Sequence, residues 1–164
     1  MEIKTGNLLE TSIPIIAHVV NCQGVMGAGV ARQIKSMYHD VYRDYKAYCD
    51  GFAKSTYKKS IMLGKETFIF VDNNTRCIFN LFAQFDYGIS KRHLNYAALT
   101  KSLISMIENI KSGGPFLDFG KRIAIPYKLG CGLAGGHWDI VREILADIED
   151  LTGIEFVAYK LENA

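Results

Sequence analysis

Val20-Asn21-Cys22-Gln23-Gly24-Val25-Met26-Gly27-Ala28-Gly29-Val30-Ala31 and Ile125-Pro126-Tyr127-Lys128-Leu129-Gly130-Cys131-Gly132-Leu133-Ala134-Gly135-Gly136 decide how this chain folds. Each begins at the end of an apolar run and passes through a glycine-rich segment into a helical pattern. Both read as strand, flexible loop, helix. Glycine lets a backbone approach a ligand closely and lets amide N–H groups turn inward. A helix N-terminus behind such a loop favours a phosphate. Two such loops on one sheet can close around a diphosphate from both sides.

Outward from these stretches, strands and helices alternate. Ile13 to Val20 is a nearly continuous apolar run broken by Pro14 and His18, which predicts a strand buried on both faces. From Gly29 to Tyr48 the residues Val30, Ile34, Tyr38, Val41 and Tyr45 recur at helical spacing, and Gly51 offers a stop. Phe68–Val71 and Cys77–Phe82 flank Asp72-Asn73-Asn74-Thr75, a hairpin signal. A second helix is predicted from Leu94 to Lys111, ended by Ser112-Gly113-Gly114-Pro115. The strand Arg122–Pro126 precedes the second loop. A last helix from His137 to Leu151 carries Trp138, Val141, Leu145, Ile148 and Leu151 on one stripe, with Gly153 as its C-cap. Glu155–Tyr159 closes the pattern as a strand. The expected fold is an α/β domain of three layers with a mixed central sheet, one domain over residues 1–164.

Bulk properties narrow the function. Apolar residues make up 49% and charged residues 22%, ordinary for a globular protein. A net charge of +2 is too small to argue for nucleic-acid binding. The opening Met1-Glu2-Ile3-Lys4 runs into a strand-like start without a visible signal, and no apolar stretch suits a membrane span. A cytoplasmic protein without membrane association is expected. Cys22, Cys49, Cys77 and Cys131 form no C-x-x-C pair and no histidine cluster has metal spacing, so neither metal nor other cofactor is expected. Cys22 and Cys131 fall inside the loops, either as small packing side chains or as a nucleophile, which needs a base and an electropositive pocket.

A dinucleotide-binding fold of the G-x-G-x-x-G type fits poorly, because Gly24, Gly27 and Gly29 stand in G-x-x-G-x-G order. A P-loop fits more poorly still, since no G-K-[ST] occurs and no lysine follows the loop closely. Plain strand-to-helix turns are the alternative for either loop alone. Three stretches together point further. Gly6-Asn7-Leu8-Leu9 resembles the opening G-D-[IL] motif of the macrodomains, the ADP-ribose-binding α/β/α modules. Ala17 to Gly24 with Met26 to Ala31 resembles their first binding loop, and Gly130 to Trp138 their second. The chain looks most like the phage and bacterial branch, near the ADP-ribose 1″-phosphate phosphatases and the hydrolases that remove ADP-ribose from protein or DNA.

This resemblance implies roles residue by residue. Asn7, with Leu8, stands where the family holds adenine, or is a turn residue. Gly27, Ala28, Gly29 and Val30 would line the distal ribose and one side of the diphosphate. Gly130, Cys131, Gly132, Leu133, Ala134, Gly135 and Gly136 would give amides to the other side. Asn21 would orient a water or a ribose hydroxyl, or cap its strand. Gln84, Phe85 and Tyr87 would border the ligand from the loop after the hairpin. Hydrolases that act on modified protein or DNA commonly carry a lysine where Gln84 stands, and some carry an aspartate where Ala134 stands, so their route is disfavoured. His18 matches a histidine of the yeast-type phosphatases, and His137 begins the helix after the second loop; each is either catalytic or structural. The implied activity is hydrolysis of ADP-ribose 1″-phosphate by Asn21 with His18 or His137. The implied partner is ADP-ribose, a derivative of it, or an ADP-ribosylated macromolecule. A mono-ADP-ribosyl hydrolase and a non-catalytic reader are the alternatives.

Overall fold

The structure is a computed structural model that describes residues 1–54 and 58–162. Its elements in chain order are β1 (Glu2–Thr5), β2 (Ile15–Asn21), α1 (Gly29–Met37), α2 (His39–Ala53), β3 (Glu66–Val71), β4 (Arg76–Gln84), α3 (Tyr96–Lys111), β5 (Arg122–Pro126), α4 (Trp138–Thr152) and β6 (Glu155–Lys160). The strands form one sheet in the order β1-β6-β5-β2-β4-β3. All pairs are parallel except β3 with β4, which makes the sheet mixed, as the alternating pattern and single hairpin predict. β2 lies between β5 and β4, so the two glycine loops leave neighbouring strands at the same edge.

The sheet has a core on each face. Ile15, Ala17, Phe79 and Ile125 pack with Leu99, Leu103 and Ile107 of α3 and with Val141 and Leu145 of α4. Ile16, Val20, Ile78 and Phe82 pack with Ile34, Val41, Tyr45 and Cys49 of α1 and α2. The alternation along β2 reflects the two-residue period of a strand, and both sets are apolar because helices cover both faces.

Where the backbone departs from prediction, side chains explain it. The helix expected from Gly29 to Tyr48 is two helices, broken at Tyr38, whose φ is −127° and ψ 75°. The Tyr38 hydroxyl donates to Asp72 Oδ2 at 2.8 Å and accepts from Arg76 Nη1 at 3.1 Å, so the break anchors the helix pair to the hairpin. Gly51 does not stop α2, which continues to Ala53. α3 starts at Tyr96 because Asn95 caps it, its Oδ1 accepting from the Ala98 N–H at 2.9 Å. Leu151 is 85% exposed, since the buried stripe of α4 is Val141, Leu145 and Ile148 and Leu151 falls outside it. Gly153 follows in the left-handed conformation at φ 71°, as a C-cap glycine should. The hairpin turn puts Asp72, Asn73 and Asn74 all at positive φ, the region that Asn and Asp tolerate. No helix among the described residues is long and apolar enough to cross a membrane.

Candidate ligand-binding site

A cavity of about 730 Å3 opens where β2, β4, β5 and β6 end, within the range typical of small-molecule sites. Both glycine loops line it.

The first loop is braced by side chains. Asn21, 5% exposed at the end of β2, is the hub. Its Oδ1 accepts from the Gln23 N–H at 2.9 Å and lies 2.8 Å from the Tyr45 hydroxyl; its Nδ2 donates to the Val25 carbonyl at 2.7 Å. The Tyr45 hydroxyl also lies 2.8 Å from the Asn21 carbonyl oxygen and accepts from the Val25 N–H at 3.1 Å. Gln23 Nε2 and the Cys22 N–H both donate to the Phe85 carbonyl, at 2.8 and 3.1 Å, which ties this loop to the segment after β4. Beyond the brace, Gly29 begins α1 at φ 55°, with open space around its α-carbon. The first N–H groups of α1, at Gly29, Val30 and Ala31, precede its first internal bond, from the Arg32 N–H to the Ala28 carbonyl.

The second loop is held by main chain and close packing. The Cys131 N–H donates to the Lys128 carbonyl at 2.8 Å, the Gly135 N–H to Gly132 at 2.9 Å and the Gly136 N–H to Gly130 at 3.1 Å. The Ala134 carbonyl accepts from the His93 and Leu94 N–H groups. A methyl group at Gly136 would press into Leu94 Cδ2 and lie 2.8 Å from the Gly130 carbonyl oxygen. Among the described residues, the N–H groups of Gly132, Leu133 and Ala134 have no hydrogen-bond partner. Lys128 and Lys160 also line the cavity, and no carboxylate among the described residues does. Open amides and two cations without a neighbouring negative charge suit an anionic ligand.

No protein-family model matches the chain. It is 29% identical over 165 residues to a DNA ADP-ribosyl glycohydrolase of Thermus aquaticus, covering 96% of this chain and 41% of that protein. It is 26% identical over 174 residues to the ADP-ribose 1″-phosphate phosphatase of Saccharomyces cerevisiae, covering 95% of this chain and 96% of that one. It superimposes on the macrodomain of Thermus aquaticus DarG with a TM-score of 0.73 at 26% identity, over 97% of each chain. The fold is that of a macrodomain. The chain thus spans about two fifths of the glycohydrolase it matches and nearly all of the yeast phosphatase.

Within this fold the predicted residues divide into two groups. Asn21, Gly27, Ala28, Gly29, Val30, Gln84, Tyr87, Gly130, Gly132, Leu133 and Ala134 line the cavity. Asn7, Leu8, Phe85, Cys131, Gly135, Gly136 and His137 do not. Asn7 is the N-cap of a short 3-10 turn, its Oδ1 accepting from the Leu9 N–H at 3.0 Å and its Nδ2 donating to Glu10. Leu8 is buried in the core. Phe85 serves the site through its carbonyl. Gly135 and Gly136 shape the loop. His137 is exposed at the N-cap of α4, its N–H donating to the Tyr96 hydroxyl at 2.9 Å.

His18 belongs to the cavity floor but is 1% exposed. Its Nε2 lies 2.7 Å from Asn80 Oδ1, and Asn80 Nδ2 donates to Thr67 Oγ1 at 3.2 Å. The three residues stand in register across β2, β4 and β3. Burial holds the imidazole pKa down to about 4 against the opposing effect of the Asn80 contact, so the ring is neutral at physiological pH. Its partner is a side-chain amide, where a main-chain carbonyl is the usual expectation for a core histidine. The cysteines fit the packing reading. Burial pushes the Cys22 thiol up to about 12 and the Cys131 thiol up to about 11, far from a nucleophilic thiolate.

Several site residues escaped the sequence reading. Tyr45 is read there only as part of a helix stripe, and its hydroxyl becomes a brace because β2 ends beneath it. Tyr127, Lys128 and Lys160 line the cavity because β5 and β6 end side by side, with Pro126 in register with Tyr159.

Proposed function

We propose that this macrodomain binds ADP-ribose in the cleft and hydrolyses ADP-ribose 1″-phosphate to ADP-ribose and phosphate. The observation that carries the reading is one cavity lined by two sets of open backbone amides and two lysines, with no carboxylate among the described residues to repel a diphosphate. The near end-to-end match to the yeast phosphatase supports the reaction. In this reading the diphosphate lies between the start of α1 and Gly132–Ala134, and the distal ribose lies toward Asn21 and Gln84. Asn21 has spent one Nδ2 hydrogen on Val25 and keeps the second for a ribose hydroxyl or the attacking water. Water adds to phosphorus, the bond from phosphorus to the 1″ oxygen breaks, and the ribose keeps that oxygen as its hydroxyl. The amides stabilise the charge on the phosphate oxygens. Neutral His18 acts beneath the floor by holding β2 in register with Asn80, and His137 has no part in the step.

Hydrolysis of ADP-ribose from a modified macromolecule is the second reading, favoured by the match to the Thermus aquaticus glycohydrolase. Against it stand Gln84 and Ala134, neither of which can attack an anomeric carbon or move a proton. Calorimetric titration with ADP-ribose, with AMP and NAD as controls, tests the binding. Phosphate release from ADP-ribose 1″-phosphate, lost in Asn21→Ala and kept in His137→Ala, supports the phosphatase. Release of ADP-ribose from a modified protein or oligonucleotide without phosphatase turnover overturns it.

A further inference from the structure

The cavity has a charged end that the two amide sets do not explain. Lys128 Nζ lies 5.7 Å from the centre of the Tyr127 ring and Lys160 Nζ lies 5.6 Å from it. Neither lysine has a carboxylate partner among the described residues. Two ammonium groups on one ring repel each other, and the attraction of each to the ring is small at a solvated site. The arrangement is therefore poor as a stabilising device and good as a seat for an anion.

The backbone points the same way. Lys128 has φ +58°, the left-handed region that lysine adopts only at a cost that glycine would avoid. The ring that both cations approach is fixed: Tyr127 meets Trp138 edge to face at 5.4 Å, and its N–H donates to the Tyr159 carbonyl at 2.8 Å. This end lies at β5 and β6, next to β1 and away from Asn21 and Gln84 on β2 and β4. With the distal ribose toward Asn21, it is the nucleoside end of the cleft.

We infer that Lys128, Lys160 and Tyr127 form a subsite for a phosphate monoester on the 2′- or 3′-hydroxyl of the adenosine ribose, so that the preferred ligand is ADP-ribose bearing this third phosphate. The inference rests on the ADP-ribose reading for the ligand's orientation. The test titrates the whole protein with ADP-ribose and with ADP-ribose 2′-phosphate at low salt. A second set compares adenosine 2′,5′-bisphosphate, adenosine 3′,5′-bisphosphate and AMP. Charge-assisted bonds to two lysines give an expected gain of about tenfold or more for the added phosphate, shrinking as salt rises. The bisphosphate that shows the gain identifies the hydroxyl. In Lys160→Met and Lys128→Gly the affinity ratio falls toward one. Lys128→Gly removes the left-handed lysine, so its melting temperature does not drop and loss of the ratio cannot come from unfolding. Equal affinities with and without the added phosphate in the unaltered protein overturn the inference. If ADP-ribose gives no heat, the ADP-ribose reading fails, and the bisphosphates against AMP still decide the subsite.

Discussion

The two glycine loops look alike in sequence and are held by opposite means. The first follows a strand with a buried histidine and is braced by polar side chains: Asn21, Gln23 and the Tyr45 hydroxyl from α2. The second follows Ile123-Ala124-Ile125, fully apolar, and is held by main-chain turns and by glycines pressed against Leu94. On the proposed function the amides of both loops must be fixed before the ligand arrives, and this chain achieves that once with side-chain hydrogen bonds and once with main-chain turns and shape. Disturbing the first loop should therefore act through polar groups, and disturbing the second through volume.

The largest effect is expected at Gly136. Gly136→Ala puts a methyl group against Leu94 Cδ2 and 2.8 Å from a carbonyl oxygen that cannot move far, an overpacking that costs about 3 kcal/mol. Urea unfolding measures it. Leu94→Ala in the same chain should relieve part of that cost, because the carbonyl contact remains. Full relief would mean that the main chain of this loop yields more than its bonds imply.

Gly132 tests the same loop without the packing. It has an ordinary φ, and a β-carbon there meets nothing within 4 Å. Gly132→Glu should leave stability within about 0.5 kcal/mol, as surface changes do. On the proposed function it weakens ADP-ribose binding by about a hundredfold, roughly 2.7 kcal/mol, by placing a carboxylate where the diphosphate lies. Unchanged calorimetric affinity in the folded variant would remove the diphosphate from this loop.

A pH titration separates the strands that feed the loops. His18 has a folded pKa of about 4 against an ordinary value of 6.5, so the unfolded chain takes up a proton on acidification before the folded one does. Stability is fully present above about 6.5, falls as the pH drops toward 4 and levels off below. Denaturant unfolding at pH 5 should show about 2 kcal/mol less stability from this group than at pH 7.5. His18→Gln, which can still donate to Asn80, should remove that part of the slope. An identical slope in the variant would assign the acid sensitivity elsewhere, and β5, with no titratable residue among its buried positions, offers no counterpart.

Much of this was legible in the sequence. β5, β6, the hairpin and the apolar stripe of α3 follow from periodicity and turn chemistry. The break at Tyr38 was not, because no glycine or proline marks it and the partner of its hydroxyl, Asp72, lies 34 residues away. At the site, the strand ends and loop positions were legible while the roles of individual residues were not. Gly29 and Gly136 are the same letter, yet one keeps space open at a positive φ and the other gives way to a leucine. Asn7 and Asn21 are likewise the same letter, one capping a short turn and the other organising the cavity wall. A motif records that a residue type is needed. It does not record whether the need comes from a ligand, a turn or a neighbour brought in by the fold.

The smallest expected effect is the most specific to the comparison. Tyr45→Phe removes one hydroxyl from a fully buried ring and keeps its packing on Phe82. The Val25 N–H loses its 3.1 Å acceptor and keeps only Asn21 Oδ1 at 3.4 Å. The loss of stability should be about 1 kcal/mol, the net worth of an ordinary buried hydrogen bond. Ligand affinity should fall severalfold with it, since Asn21 loses a neighbour that fixes its rotamer. The second loop shares no bond with Tyr45, so an overpacking change such as Gly136→Ala should add to Tyr45→Phe without coupling in unfolding experiments. Coupling well above 0.5 kcal/mol, the scatter expected of independent sites, would show that the loops answer to one another across β2 and β5. The distinction between a loop held by polar bonds and a loop held by shape would then dissolve into one cooperative unit.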